Sequence, residues 1–215
     1  MTTTHCPIVV LISGNGSNLQ ALIDASVHSN FKIAGVISNQ PDALGLERAQ
    51  RDDIPTRVVD HSGYADRKEF DLALLEAIEE FDPKLVVLAG FMRILGPEFV
   101  SHYAGRLINI HPSLLPRYPG IKTHQRAIDA GDKEHGCTVH FVTDETDGGP
   151  VIAQERVPIT SADTPASLAA RVLEKEHLVY AKVVSWFAAG RLRMVGNHAL
   201  LDDEILPAHG VEIRP

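Results

Sequence analysis

Cysteine is scarce in this chain: only Cys6 and Cys137 occur among 215 residues, and they form no CxxC pair. No disulfide framework is on offer, which fits a reducing compartment. Metal-ligand spacing is missing as well, since the eleven histidines are scattered and contain no HExxH or paired Cys/His arrangement. A basic excess is absent. Twenty Lys and Arg against 28 Asp and Glu give a net charge of -8, which argues against a general nucleic-acid or acidic-membrane surface but permits a local basic pocket for a small anion. The apolar run in "MTTTHCPIVVLIS" lacks a basic flank and is too short for a secretory leader or a membrane span, so a cytoplasmic location is expected. No internal repeat, low-complexity tract or long linker marks a domain boundary.

What is present is enough apolar residue, 44%, to bury a substantial core. "IVVLIS" reads as a buried strand and "GNGSNLQALIDA" as a tight turn entering a helix. "FKIAGVIS" and "PTRVVD" read as strands on either side of a short helix over 43–51. Residues 66–81 form a helical stripe of Phe70, Leu74, Leu75, Ile78 and Phe81, with Asp66 as N-cap and Pro83 as stop. "KLVVLAG" and "RLINIH" are near-continuous apolar runs, as strands covered on both faces should be. "GCTVHFVT" and "VIAQERVPI" read as an antiparallel pair, and Thr164 and Pro165 open a helix reaching about Ala189. This alternation predicts a doubly wound α/β fold. Residues 112–121, with three prolines and a glycine, are expected to be a surface loop.

Five places look chemically unusual. In "RLINIHPSLLP", Asn109 and His111 share a strand face with Leu107, while Ile108 and Ile110 take the other. Pro112 puts His111 at the strand's carboxyl end, where open α/β sheets bind ligands; a core pair satisfied by backbone is the plain alternative. "SGNGSN" offers Gly14, Gly16, Ser17 and Asn18 at a helix N-terminus, an anion cradle or simply a tight turn. In "DETDGGP", Asp147 precedes two glycines that allow close backbone approach to a ligand, and its carboxylate could fix the His111 tautomer. Glu176 falls on the apolar stripe of Leu168, Val172, Val179 and Val183, so it either sits at the stripe's edge or meets a polar ligand such as a sugar hydroxyl. "AGFMRILGP", 89–97, mixes residues that suit a flat heterocycle with residues that suit a loop anchored in the core.

Taken together, "LISGNGSNLQALID", "VVLAGFMRIL", "INIHPSLLPRYPG", "GCTVHFVTDETDGGPVI" and the helix containing "EKEH" closely resemble the folate-dependent phosphoribosylglycinamide formyltransferase family of purine biosynthesis, over nearly the whole chain. The resemblance implies an α/β fold: a doubly wound, mostly parallel sheet with helices on both faces, a Rossmann-like N-terminal half and an antiparallel C-terminal addition. It implies a single domain over 1–215, about 1–105 holding nucleotide or phosphate and about 106–215 carrying catalysis and folate binding. The implied reaction moves a formyl group from the co-substrate 10-formyltetrahydrofolate to the amine of glycinamide ribonucleotide. No metal, nucleic acid or membrane takes part, and a homodimer is left open.

By the same resemblance Asn109, His111 and Asp147 are the catalytic trio. Gly16, Ser17 and Asn18 hold the substrate phosphate, and Glu176 binds its ribose. Arg67, Phe91, Met92, Arg93, Ile94, Leu95, Asn109, Thr143, Asp144, Glu145, Thr146 and Asp147 match folate-binding positions. Asn109 and protonated His111 would donate to the oxygen that gains charge as the amine attacks, with Asp147 supporting the imidazole and helping to take the amine's proton. Three other readings remain. A 10-formyltetrahydrofolate hydrolase would not need the phosphate cradle, and a methionyl-tRNA formyltransferase is expected to need an RNA-binding addition for which 215 residues leave little room. A silent folate- or nucleotide-binding module would not need the trio.

Overall fold

Strand β1 (Cys6–Ile12) buries both faces: Ile8, Val10 and Ile12 enter one core, Val9 and Leu11 another. Only a sheet with helices on both sides can bury two such faces, and the computed structural model, which describes residues 5–213, has that layering. The chain continues through α1 (Ser17–Ser26), β2 (Phe31–Ser38), α2 (Leu44–Arg51), β3 (Thr56–Val58), α3 (Arg67–Glu79), β4 (Leu85–Leu88), α4 (Pro97–His102) and β5 (Leu107–His111). It then forms α5 (Thr123–Asp129), β6 (Glu134–Phe141), β7 (Val151–Pro158), α6 (Pro165–Ala188), β8 (Leu192–Val195), β9 (His198–Leu201) and β10 (Glu204–Ile205). The reading of residues 1–4 as lacking a leader's basic flank lies outside the described residues.

The main sheet runs β3-β2-β1-β4-β5-β6-β7. Its first five strands are parallel, and β6 and β7 add antiparallel pairings, so the sheet is mostly parallel, as expected. Helices α1, α2 and α6 pack on one face through residues such as Leu19, Leu46, Val172 and Val183. Helices α3 and α4 cover the other with Phe70, Leu74, Phe99 and Tyr103. From β1 the chain winds outward to β3 and then returns to β4 on the opposite side, so the winding reverses between β1 and β4. A crevice opens at the carboxyl ends of such strands. Here the loops after β1 and β4 meet directly, because the Met92 amide donates to Ser13 Oγ at 2.8 Å.

Helix α3 begins at the expected cap, the Asp66 carboxylate accepting from the Glu69 amide at 3.0 Å. Helix α6 is capped by Thr164 and Ser167 in reciprocal bonds, and its Tyr180 hydroxyl, fully buried, donates to the Leu88 carbonyl at 2.8 Å. That contact ties the helix to β4.

Several expectations need correction. The strand read from "PTRVVD" is only three residues long, because Arg57 and Val58 sit exposed on the outermost strand. The stretch after residue 111 is not wholly a surface loop: Ser113, Leu114 and Leu115 are buried, since Thr138 and Gln154 take up the backbone groups that the prolines leave out of regular structure. Helices α4 and α5 were not expected, whereas the small antiparallel sheet β10-β9-β8 is the kind of antiparallel C-terminal addition the resemblance implies.

Candidate active site

A cavity of about 540 Å³ opens beside the carboxyl ends of the central strands. Its walls include Asn18, Phe91, Met92, Arg93, Ile94, Leu95, Asn109, His111, Thr143, Asp144, Glu145, Thr146, Asp147 and Glu176, so residues from distant parts of the chain meet in one place. Met92, Ile94 and Ile121 are large apolar side chains left 71%, 65% and 69% exposed at its rim, as a site for a flat apolar group requires. Gly16 and Ser17 are absent from that lining but adjoin Asn18 at the start of α1. Arg67 lies outside it, in the neighbouring groove between α3 and α4.

Strand β5 positions Asn109 and His111. Ile108 and Ile110 enter the core under α6, so the period of two turns Asn109 and His111 the other way. In register, Asn109 faces His140 and His111 faces Thr138 across the antiparallel pair with β6. The His140 Nδ1 lies 2.9 Å from the Phe141 carbonyl, which can only accept, so Nδ1 carries the proton. Its Nε2 is therefore a bare acceptor, and the Asn109 amide nitrogen donates to it at 3.2 Å. This fixes which way the Asn109 amide points and leaves its second N–H for a ligand. Burial holds the His140 pKa below the ordinary histidine value, which preserves the accepting form.

His111 is similarly directed. Its Nε2 donates to the Tyr118 carbonyl at 2.9 Å, and its Nδ1 lies 3.5 Å from Asp147 Oδ2. Asp147 also accepts the Gly120 amide at 2.8 Å and has its Oδ1 3.9 Å from His140 Nε2. Asn109, His111 and Asp147 are thus brought together, with His140 as a fourth member that sequence reading missed. The alternation in β6 held a signal for it: Cys137, Val139 and Phe141 are core, so His140 had to share the face of Asn109. The glycines after Asp147 serve another purpose than expected. A Cβ on Gly149 would lie 1.8 Å from the Phe141 carbonyl oxygen, so the close approach is to β6 rather than to a ligand.

At the opposite end of the cavity, the Asn18 amide donates to Glu176 Oε2 at 2.8 Å, joining α1 to α6. The misplaced carboxylate is buried and its first partner is protein. Burial raises the Glu176 pKa and the Asn18 bond partly offsets this. Asn18 Oδ1 is buried without a partner among the described residues. Before it, Gly16 has φ of 74°, and a Cβ there would come 2.6 Å from Gly45 Cα, so only glycine lets α2 brace this turn. Arg48 completes the brace by donating to both oxygens of Asn15, each at 2.8 Å.

An α/β crevice that gathers an amide donor, an imidazole, an adjoining carboxylate and a braced helix N-terminus has the makings of a group-transfer site, and the chain belongs to the formyl transferase family, whose model matches residues 6–184. It is 56% identical over 205 residues to the phosphoribosylglycinamide formyltransferase of Escherichia coli, an alignment spanning 94% of this chain and 97% of the relative. The corresponding enzyme of Haemophilus influenzae is 48% identical over the same share of each chain. The solved phosphoribosylglycinamide formyltransferase of Coxiella burnetii is 54% identical, covers 98% of this chain and 100% of its own, and superposes with a TM-score of 0.94.

Proposed function

We propose that this enzyme transfers the formyl group of 10-formyltetrahydrofolate to the amine of glycinamide ribonucleotide, giving formylglycinamide ribonucleotide. The observation that carries the reading is the convergence of Asn109, His111 and Asp147 on one cavity that also reaches Asn18 and Glu176. In this reading Gly16, Ser17 and Asn18 receive the phosphate at the start of α1, Glu176 accepts from ribose hydroxyls, and residues 91–95 and 143–147 hold the folate, with Arg67 beside them. The whole chain works as one domain, in the cytoplasm, with both substrates entering as free small molecules.

The amine attacks the formyl carbon, charge gathers on the formyl oxygen, and the second Asn109 N–H donates to it. The His111 Nε2–H, bonded to the Tyr118 carbonyl at 2.9 Å, turns its hydrogen bond to that oxygen as the donor seats and keeps its proton. Asp147 steadies the imidazole and, through water, helps accept the amine's proton. Collapse breaks the bond from the formyl carbon to the folate nitrogen, a new amide forms, and the proton lost by the amine ends on the departing nitrogen. No covalent enzyme intermediate is needed.

The test is the loss of formyl donor measured with and without glycinamide ribonucleotide. Loss should require the ribonucleotide and match the amide formed. Rapid deformylation indifferent to the ribonucleotide would make the protein a hydrolase.

A further inference from the structure

Helix α3 presents three neighbouring side chains to the loop that follows β4. The Phe70 ring lies under the Arg93 guanidinium, 5.6 Å from its central carbon to the ring centroid. One turn of helix separates Arg67 from Asp71, and both reach Gly96: a Cβ built there would lie 2.8 Å from Asp71 Oδ2 and 3.8 Å from Arg67 Nε. Asp71 Oδ2 accepts the Gly96 amide at 2.7 Å. The carboxylate is only 8% exposed, and its Oδ1 is buried without a hydrogen-bond partner among the described residues.

Such a group works against stability. Burial raises its pKa, while the Gly96 amide and then the charges of Arg67 and Arg93 act to lower it. An apolar residue would fill the same space without the desolvation cost. What the carboxylate adds is direction, because it anchors the carboxyl-terminal end of the 91–96 loop and sets one negative charge against two cations carried on different segments.

We infer that Asp71 is a positioning residue for the formyl donor: it fixes the 91–96 loop through Gly96 and sets its charge between Arg93, on the cavity wall, and Arg67, in the adjoining groove, the two cations that meet the anionic part of the folate. The inference rests on the assignment of residues 91–95 and Arg67 to the formyl donor given above. Replacing the carboxylate by an amide keeps an acceptor for Gly96 but removes the charge and turns a donor toward the arginines. Asp71 itself touches neither substrate nor reacting atoms.

Steady-state rates of Asp71→Asn, with each substrate varied in turn, test this. The KM for the formyl donor should rise roughly tenfold, the lower range for losing an interaction with a charged group, whereas the KM for glycinamide ribonucleotide and kcat stay within about twofold. The melting temperature should hold or rise. Asp71→Leu should show the larger donor defect, since the Gly96 amide then loses its acceptor too. An unchanged donor KM in folded Asp71→Asn overturns the inference. So does a parallel rise of both KM values with a lowered melting temperature, which marks Asp71 as merely structural. Wild-type protein that transfers no formyl group at all overturns the functional reading first and this inference with it.

Discussion

An amide side chain is ambiguous until its neighbours decide which end donates, and for Asn109 the decision is made by His140. Its proton is committed to the Phe141 carbonyl, so its free nitrogen demands a donor. Asn109→Leu should therefore lower turnover by about 10²-fold to 10³-fold, the usual loss for one preorganised oxyanion donor, with circular dichroism unchanged. His140→Gln, which can still accept, should retain more activity than His140→Leu, which cannot. Equal rates for the two His140 variants would show that the amide needs no such guide. Combined changes in Asn109 and His111 should cost less than the product of the single losses, because in the proposed mechanism both donate to one oxygen.

At the scale of elements, the site depends on α1 and α6 meeting. Sequence pattern alone made Glu176 an intruder on an apolar stripe, for which leucine should be harmless or stabilising; the bond from Asn18 changes that expectation. Glu176→Leu leaves the Asn18 amide unsatisfied, a penalty of about 1–3 kcal/mol that offsets the relief of removing a buried carboxylate. Glu176→Gln keeps the acceptor and should melt at or above the parent temperature, with Glu176→Leu melting below it. Both should weaken ribonucleotide binding, by roughly 1.5–3 kcal/mol for the leucine variant. Thermal melts and calorimetric titrations on the same preparations decide both points. The long elements were legible in advance because each carries its own periodicity: the two-faced apolar strands, the Asp66 cap and the Thr164–Pro165 start all lie where the residues put them. Short elements were not, since α4 and α5 span six and seven residues and owe their form to tertiary packing. The small C-terminal sheet had a readable cue in Gly196 and Asn197, the two residues between β8 and β9. His140 escaped because its role depends on register with β5, which no single segment reveals.

Over the whole molecule, buried imidazoles set the response to acid. His124, His135, His140 and His177 all have pKa values pushed down, by burial first, and His135 falls to about 4. The folded state refuses protons that the unfolded chain accepts below about pH 6.5, so stability is full above that value and drains as the pH falls toward the folded pKa values. His135 alone should cost about 2 kcal/mol at pH 5. Asp71 and Glu176 oppose the trend, because raised carboxyl pKa values make the folded state gain protons more readily as acid is added. Four imidazoles, His177 included, against two carboxyls, with the imidazole transitions starting at higher pH, predict a lower melting temperature at pH 5 than at pH 7. Scanning calorimetry across that interval would contradict this if the temperature held or rose. The bond between Asn18 and Glu176 spans 158 positions of chain, and it has a consequence for synthesis. A growing polypeptide exposes the turn before α1 to the cell long before α6, which completes the cavity, has left the ribosome. The nascent chain should accordingly stay blind to its substrates until the last quarter is translated, and ribosome-stalled chains ending near residue 164 should capture no glycinamide ribonucleotide, whereas full-length chains released from the exit tunnel should.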